Sequence, residues 1–271
     1  MLETAVGEPN GWWQTAAYGS AFGLVFSFLL GSVLGSFANV IIWRLPRGDS
    51  MIYPASRCPS CGAPIPPRYN IPLLSYFFLK GKAACCGERI SARYPLIEWL
   101  CALLLLSLYV KDGWAFGFLF EGGWMFLLVI LAAIDFYHYR LPNELVGTGL
   151  VISLLWMLVD PQQSWGNAGL GLCTAWLFAM VMLGAGKYFT GKIGGMGDVK
   201  LLLVLGFTLG FGRFLQFIFV ALLSALLFAV FMRNRLPDQR IPLGPSFAFG
   251  TWVTFWLGDA MIPWYLSLWR F

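Results

Sequence analysis

Charge is scarce in this sequence. Only 11% of its 271 residues are Asp, Glu, Lys or Arg, where a soluble domain carries about 25%. With 59% of residues hydrophobic, that shortage excludes a soluble globular domain of ordinary size. Histidine is scarcer still: His138 is the only one. The chain shows no internal repeat and no low-complexity tract. Its first apolar run is preceded by the acidic residues Glu3 and Glu8, with no basic segment and no small-residue cleavage site. That run reads as a retained helix, not as a removable signal peptide.

What is there instead is a series of long uncharged runs, the mark of a polytopic membrane protein. The sequence predicts an all-α fold of about eight transmembrane helices, roughly at 18–43, 96–110, 114–134, 144–159, 167–188, 199–212, 213–232 and 247–268. Gly210 and Gly212 leave only a tight connection between the sixth and the seventh. When loops are assigned alternately, one side holds 44–95, 135–143, 189–198 and 233–246. That side carries fifteen Lys and Arg against three on the other. This asymmetry places the richer side in the cytosol and both termini outside. It also explains the net charge of +5 without a nucleic-acid partner. The expected organisation is an N-terminal segment with the first helix (1–43), a small cytosolic cysteine module (44–95) and a transmembrane core (96–271).

Two aspartates stand out. Asp135 directly follows the apolar run in "FLLVILAAIDFYHYRLPN", and Asp198 sits behind glycines in "GGMGDVK". Two predicted spans separate them, so both belong to the cytosolic face. Ionisable residues at the hydrocarbon boundary are costly and mark function. Two close carboxylates in a low-dielectric site share a proton, the arrangement of aspartic peptidases. Gly195 and Gly197 give Asp198 a backbone that bends tightly at a helix entry and lets a peptide approach. A helix-capping role suits Asp198 but not Asp135, whose charge at a helix C-terminus opposes the dipole. On residue chemistry alone, the pair fits either a peptidase dyad or the cation or proton site of a transporter.

The loop 44–95 contains Cys58, Cys61, Cys85 and Cys86. In the cytosol these do not form disulfides. Cys58-x2-Cys61-Gly62 has the shape of a zinc knuckle. The return pair is irregular, because a second C-x2-C needs a cysteine where Ala83 stands. Four-cysteine zinc, a three-cysteine site and free thiols all remain open. Cys101 and Cys173 lie within apolar spans and read as packing residues. His138 reads as part of an interfacial aromatic belt. Lys200 is either a counter-charge to Asp198 or a positive-inside anchor. Glu98 is expected to reach the interface, and Asn143-Glu144 after Pro142 reads as a helix start and its cap.

Taken in order, these segments resemble the type IV prepilin peptidases. "GSVLGSFANVIIWRLP" resembles the family's first-span signature. "CPSCG", "NIPLLSYFFLKGK" and "RYPLIEWL" resemble its cytosolic loop. "IDFYHYRLPN" and "GMGDVKLL" resemble its two aspartate motifs, and "IPLGPSFAFG" its closing segment. The resemblance implies a bacterial inner-membrane enzyme with Asp135 and Asp198 as catalytic pair. It further implies cleavage of prepilin or pseudopilin leaders at the cytosolic face. N-methylation of the new terminus from S-adenosylmethionine and a zinc-binding cysteine loop are implied as well. The departure at Ala83-Ala84-Cys85-Cys86 bears on zinc and methylation and leaves the peptidase untouched. A peptidase without methylation is the alternative within the family. A carboxylate-dependent transporter is the alternative outside it.

Overall fold

The computed structural model describes residues 20–53, 55–160, 164–190, 195–232 and 242–268. Regular structure among them is helical, apart from two isolated β-bridges in the cysteine module. The helices are α1 (Ala21–Arg44), α2 (Leu74–Phe78), α3 (Arg93–Asp112), α4 (Phe116–His138), α5 (Asn143–Val159), α6 (Trp165–Thr190), α7 (Met196–Met232) and α8 (Gly244–Leu268). Five of these, α1, α3, α4, α6 and α7, are long and apolar enough to cross a membrane. Helix α5 is apolar but shorter. The expectation of eight crossings reaches beyond these five, since it requires α5, α8 and each half of α7 to count.

Helix α1 starts where the Ser20 hydroxyl accepts the Gly23 N–H at 3.1 Å, an N-cap. It runs along α3 at close range. A Cβ at Gly31 or Gly35 would stand 2.6 Å from the α3 backbone, at Ala102 or Glu98 respectively. In lipid, where no hydrophobic effect draws helices together, such small residues allow the contact that holds a pair. Helix α4 is the central element. Trp124, Leu128, Leu131 and Ile134 on it are fully buried, and α3, α5 and α8 pack around it. The α3–α4 turn is clamped by Lys111 Nζ, which donates to Glu121 at 2.7 Å.

Helix α7 is interrupted at Gly210 (φ 71°, ψ 178°), a backbone state open to glycine. Before the break, Lys200 meets Asn143 at the start of α5, and Thr208 meets Ser153 further along it. After the break, Arg213 lies against Gly258, Phe217 and Ala221 against Gly250, and Phe228 against Phe136. Helix α5 is antiparallel to α4, because Phe120 stacks on Trp156 and Gly149 meets Trp124. The first half of α7 therefore climbs away from the Asp135 end of α4, and the second half returns to it. A straight helix would hold residues 200 and 228 about 42 Å apart. The tight connection read from Gly210 and Gly212 falls at Gly210.

Candidate active site

Asp135 occupies the last turn of α4 and is 6% exposed. A carboxylate there opposes the dipole of its own helix. Compensation comes from α8, whose first residue, Gly244, donates its N–H to Asp135 Oδ2 at 2.8 Å. An N-terminal helix amide is a natural partner for an anion. The approach requires glycine: a Cβ at Gly244 would lie 2.9 Å from Asp135 Cβ and 3.0 Å from its Oδ2. In the sequence Gly244 was visible only as one letter of the closing segment "IPLGPSFAFG".

Asp198 is the third residue of α7 and half-buried. It is not the N-cap that its place before "VKLLLV" suggested, because the helix already begins at Met196. Gly195 precedes the helix, and its carbonyl accepts the Asp198 N–H at 3.1 Å. A Cβ at Gly195 would stand 2.6 Å from Asp198 Oδ2, so a side chain there would displace the carboxylate. Gly197 rests on Leu141 of the α4–α5 connection, where a Cβ would be 3.0 Å from Leu141 Cβ. Gly194 lies outside the described residues.

Lys200 donates to Asn143 Oδ1 at 2.9 Å and is no counter-ion to Asp198. Asn143 in turn is not the cap of α5. Pro142 holds that position, and the Asn143 side chain ties the start of α5 to the start of α7. The contacts of Gly197 and Lys200 bring Asp198 to the end of the bundle that bears Asp135. Among the described residues neither carboxylate has an ion-pair partner. His138 ends α4, exposed beside the equally exposed Phe136 and Tyr137.

The four module cysteines converge, with all sulfurs within 4.8 Å of one another. Two similar turns carry them. The first is framed by the bridge Arg57–Pro64 and the Gly62 N–H to Cys58 carbonyl bond. The second is framed by the bridge Lys82–Arg89 and the Gly87 N–H to Ala83 carbonyl bond. In this register Ala83 matches Cys58 and Cys86 matches Cys61. Cys85 stands where the first turn has Ser60, yet its sulfur reaches Cys61 at 3.3 Å, while Cys86 reaches Cys58 at 3.7 Å. Thiolates held about 2.3 Å from a tetrahedral ion lie about 3.8 Å apart, so the sulfurs fit such an ion despite the irregular spacing. The N–H groups of Cys61 and Ser60 lower the Cys58 thiol to about 6, and the Cys61 thiol helps push Cys85 up to about 12.

Glu98 does not reach the interface. It is 8% exposed, and its Oε2 accepts the Leu73 N–H at 2.7 Å. Leu73 has φ 61°, ψ −54°, a strained state for a non-glycine residue. The carboxylate fixes that turn and docks the cysteine module onto α3. Between the module, α1 and α3 lies a cavity of about 670 Å³. Cys101 is buried in α3, as a packing residue should be, whereas Cys173 is exposed on α6.

Comparison with known proteins gives this arrangement a class. Residues 29–111 match the bacterial peptidase A24 N-terminal domain, and residues 123–230 match the type IV leader peptidase family. A prepilin leader peptidase/N-methyltransferase of Aeromonas salmonicida (strain A449) is 36% identical over 280 residues, covering 91% of this chain and 94% of the relative. Proteins of the same name from Bacillus subtilis (strain 168) and Neisseria gonorrhoeae are each 32% identical. They cover 89% and 92% of this chain, and 97% and 96% of their own lengths. The chain belongs to the type IV leader peptidase family. No solved structure matches it.

Proposed function

We propose that this chain cleaves the leader peptides of prepilins or pseudopilins and N-methylates the new terminus. The observation that carries the peptidase half is the placement of Asp135 and Asp198 at the same end of the helical bundle, in a chain of this family. One carboxylate takes a proton from the attacking water while the other gives its proton to the scissile carbonyl oxygen. Gly244 orients Asp135 through its N–H, and Gly195 leaves room for the Asp198 carboxylate. The exposed Phe136 and Tyr137 offer an apolar flank to the membrane-embedded start of a pilin.

On this reading the enzyme lies in the bacterial inner membrane, with the aspartates and the cysteine module on the cytosolic side and both termini outside, as the Lys and Arg asymmetry favours. There, a positively charged leader is within reach. Residues 44–95 form the methylation-associated module, and 96–271 the peptidase core. Cys58, Cys61, Cys85 and Cys86 hold a structural zinc ion, for which the convergence of their sulfurs speaks. S-adenosylmethionine supplies the methyl group: the amine lone pair forms the N–C bond, the C–S electrons stay on sulfur, and the amine proton leaves to water.

A purified prepilin incubated with this protein and S-adenosylmethionine, then weighed by mass spectrometry, tests the proposal. The expected product lacks its leader and is heavier by one methyl group, and Asp198→Asn gives neither change. Cleavage without methylation would reduce the function to a peptidase. No cleavage by folded protein would overturn it.

A further inference from the structure

The cavity beside the cysteine module has features that the peptidase chemistry does not use. Its volume, about 670 Å³, lies in the range of small-molecule sites, about 300–1,000 Å³. Its walls include Glu98, Arg93, Trp43, Tyr94, Asn39 and Cys85.

The polar groups there are arranged as for a zwitterionic, aromatic guest. Glu98 is a buried carboxylate that forms no ion pair among the described residues. A buried anion without a counter-charge is costly, and a cationic ligand relieves that cost. Arg93 lies near the rings of Trp43, Tyr94 and Tyr137 at 5.2–5.6 Å, and its Nε is buried without a hydrogen-bond partner. A guanidinium so placed is available to a carboxylate. Asn39 Oδ1 is likewise buried and unpartnered, although its Nδ2 donates to Gly35 and Tyr94 carbonyls. Aromatic faces attract both sulfonium cations and planar heterocycles.

We infer that this cavity binds the sulfonium methyl donor, with Glu98 opposite the sulfonium, Arg93 toward the donor's amino-acid carboxylate, and Trp43 and Tyr94 against its purine ring. This rests on the methyl-transfer half of the function proposed above. It assigns the cysteine turns a part in the work, as one wall of the donor site. Arg93 also links the two activities in space. Its guanidinium lies 5.4 Å from the ring of Tyr137, two residues beyond Asp135, so one wall residue of the cavity borders the end of α4 that bears Asp135.

The test is equilibrium binding of S-adenosylmethionine and of S-adenosylhomocysteine, its uncharged thioether counterpart, to the purified full chain in detergent. Wild type is expected to prefer S-adenosylmethionine. Glu98→Gln keeps an acceptor for the Leu73 N–H but removes the charge. It should weaken S-adenosylmethionine at least tenfold and S-adenosylhomocysteine much less, erasing the preference. Trp43→Leu should weaken both compounds alike. Unchanged prepilin cleavage in both variants reports that the fold is intact. Wild-type affinities and preference in Glu98→Gln would overturn the inference while leaving methylation standing. A wild-type protein that cleaves but never methylates would remove the underlying reading and the inference with it.

Discussion

The Gly244 N–H donates to Asp135 Oδ2 at 2.8 Å, joining positions 109 residues apart. That bond sets the orientation of a carboxylate which nothing on its own helix favours. A hydrogen bond to a charged group is worth about 1.5–3 kcal/mol. Gly244→Ala places a methyl within 3.0 Å of both Asp135 Cβ and Oδ2 and should displace the pair. The expected result is a loss of prepilin cleavage between about tenfold and a hundredfold, with the protein still folded and still binding the methyl donor. Wild-type cleavage by Gly244→Ala would show that the bond is dispensable.

Asp135→Asn and Asp198→Asn should each abolish leader removal. Groups that act as a unit are not additive, so the double variant should be no slower than either single one. Residual rates measured in single-turnover reactions check this. Additive losses would mean two independent roles.

The register of the second cysteine turn predicts metal content. Cys85→Ser should lose the zinc ion, measured by atomic absorption on purified protein. In Ala83→Cys with Cys85→Ala, the ligand moves to the position equivalent to Cys58. That variant should retain the metal. Equal zinc in wild type and Cys85→Ser would place the fourth ligand elsewhere.

Removing the metal exposes a pH dependence. In the metal-free module the Cys58 thiol, lowered to about 6, is a thiolate at neutral pH, while Cys85, raised to about 12, remains a thiol. A depressed acid stabilises the folded state fully above its unfolded value, and that contribution disappears as pH falls through the folded one. The contribution of Cys58 is therefore present in alkali and lost below about pH 6. Thiolate absorbance of the chelated protein should titrate near pH 6, and Cys58→Ser should remove that step. A midpoint in the ordinary thiol range would contradict the turn geometry.

Much of this was legible in the sequence because lipid imposes simple rules. Uncharged runs marked the helices, and the isolated charges Asp135 and Asp198 marked one end of the bundle, where both carboxylates lie. What stayed hidden was tertiary. Nothing local to "IPLGPSFAFG" announces that Gly244 serves Asp135. Glu98 looked interfacial because it sits in the second turn of α3, but the chain 25 residues before it folds back to cover it. Lys200 looked like a partner for Asp198, two residues away. On a helix, however, residues two apart do not face each other, and Asn143 stood on the facing side. The adjacent cysteines left the ligand set open in the sequence; in the fold the two turns share a register and bring all four sulfurs within 4.8 Å of one another.

The reversal at Gly210 acts as a ruler for the catalytic depth. Twelve residues of helix separate it from Asp198, about 18 Å. Its far end is fixed by Asn167, whose Oδ1 accepts the Phe211 N–H at 3.1 Å, and by Gly171, which packs directly on Gly206 and Gly210. The position of Asp198 at its end of the bundle is thus measured from the opposite end of that half-helix. One residue inserted between 199 and 209 would raise or lower the carboxylate by about 1.5 Å and swing it about 100° around the helix, away from Asp135. An insertion far from any substrate would silence the enzyme as completely as loss of the aspartate itself.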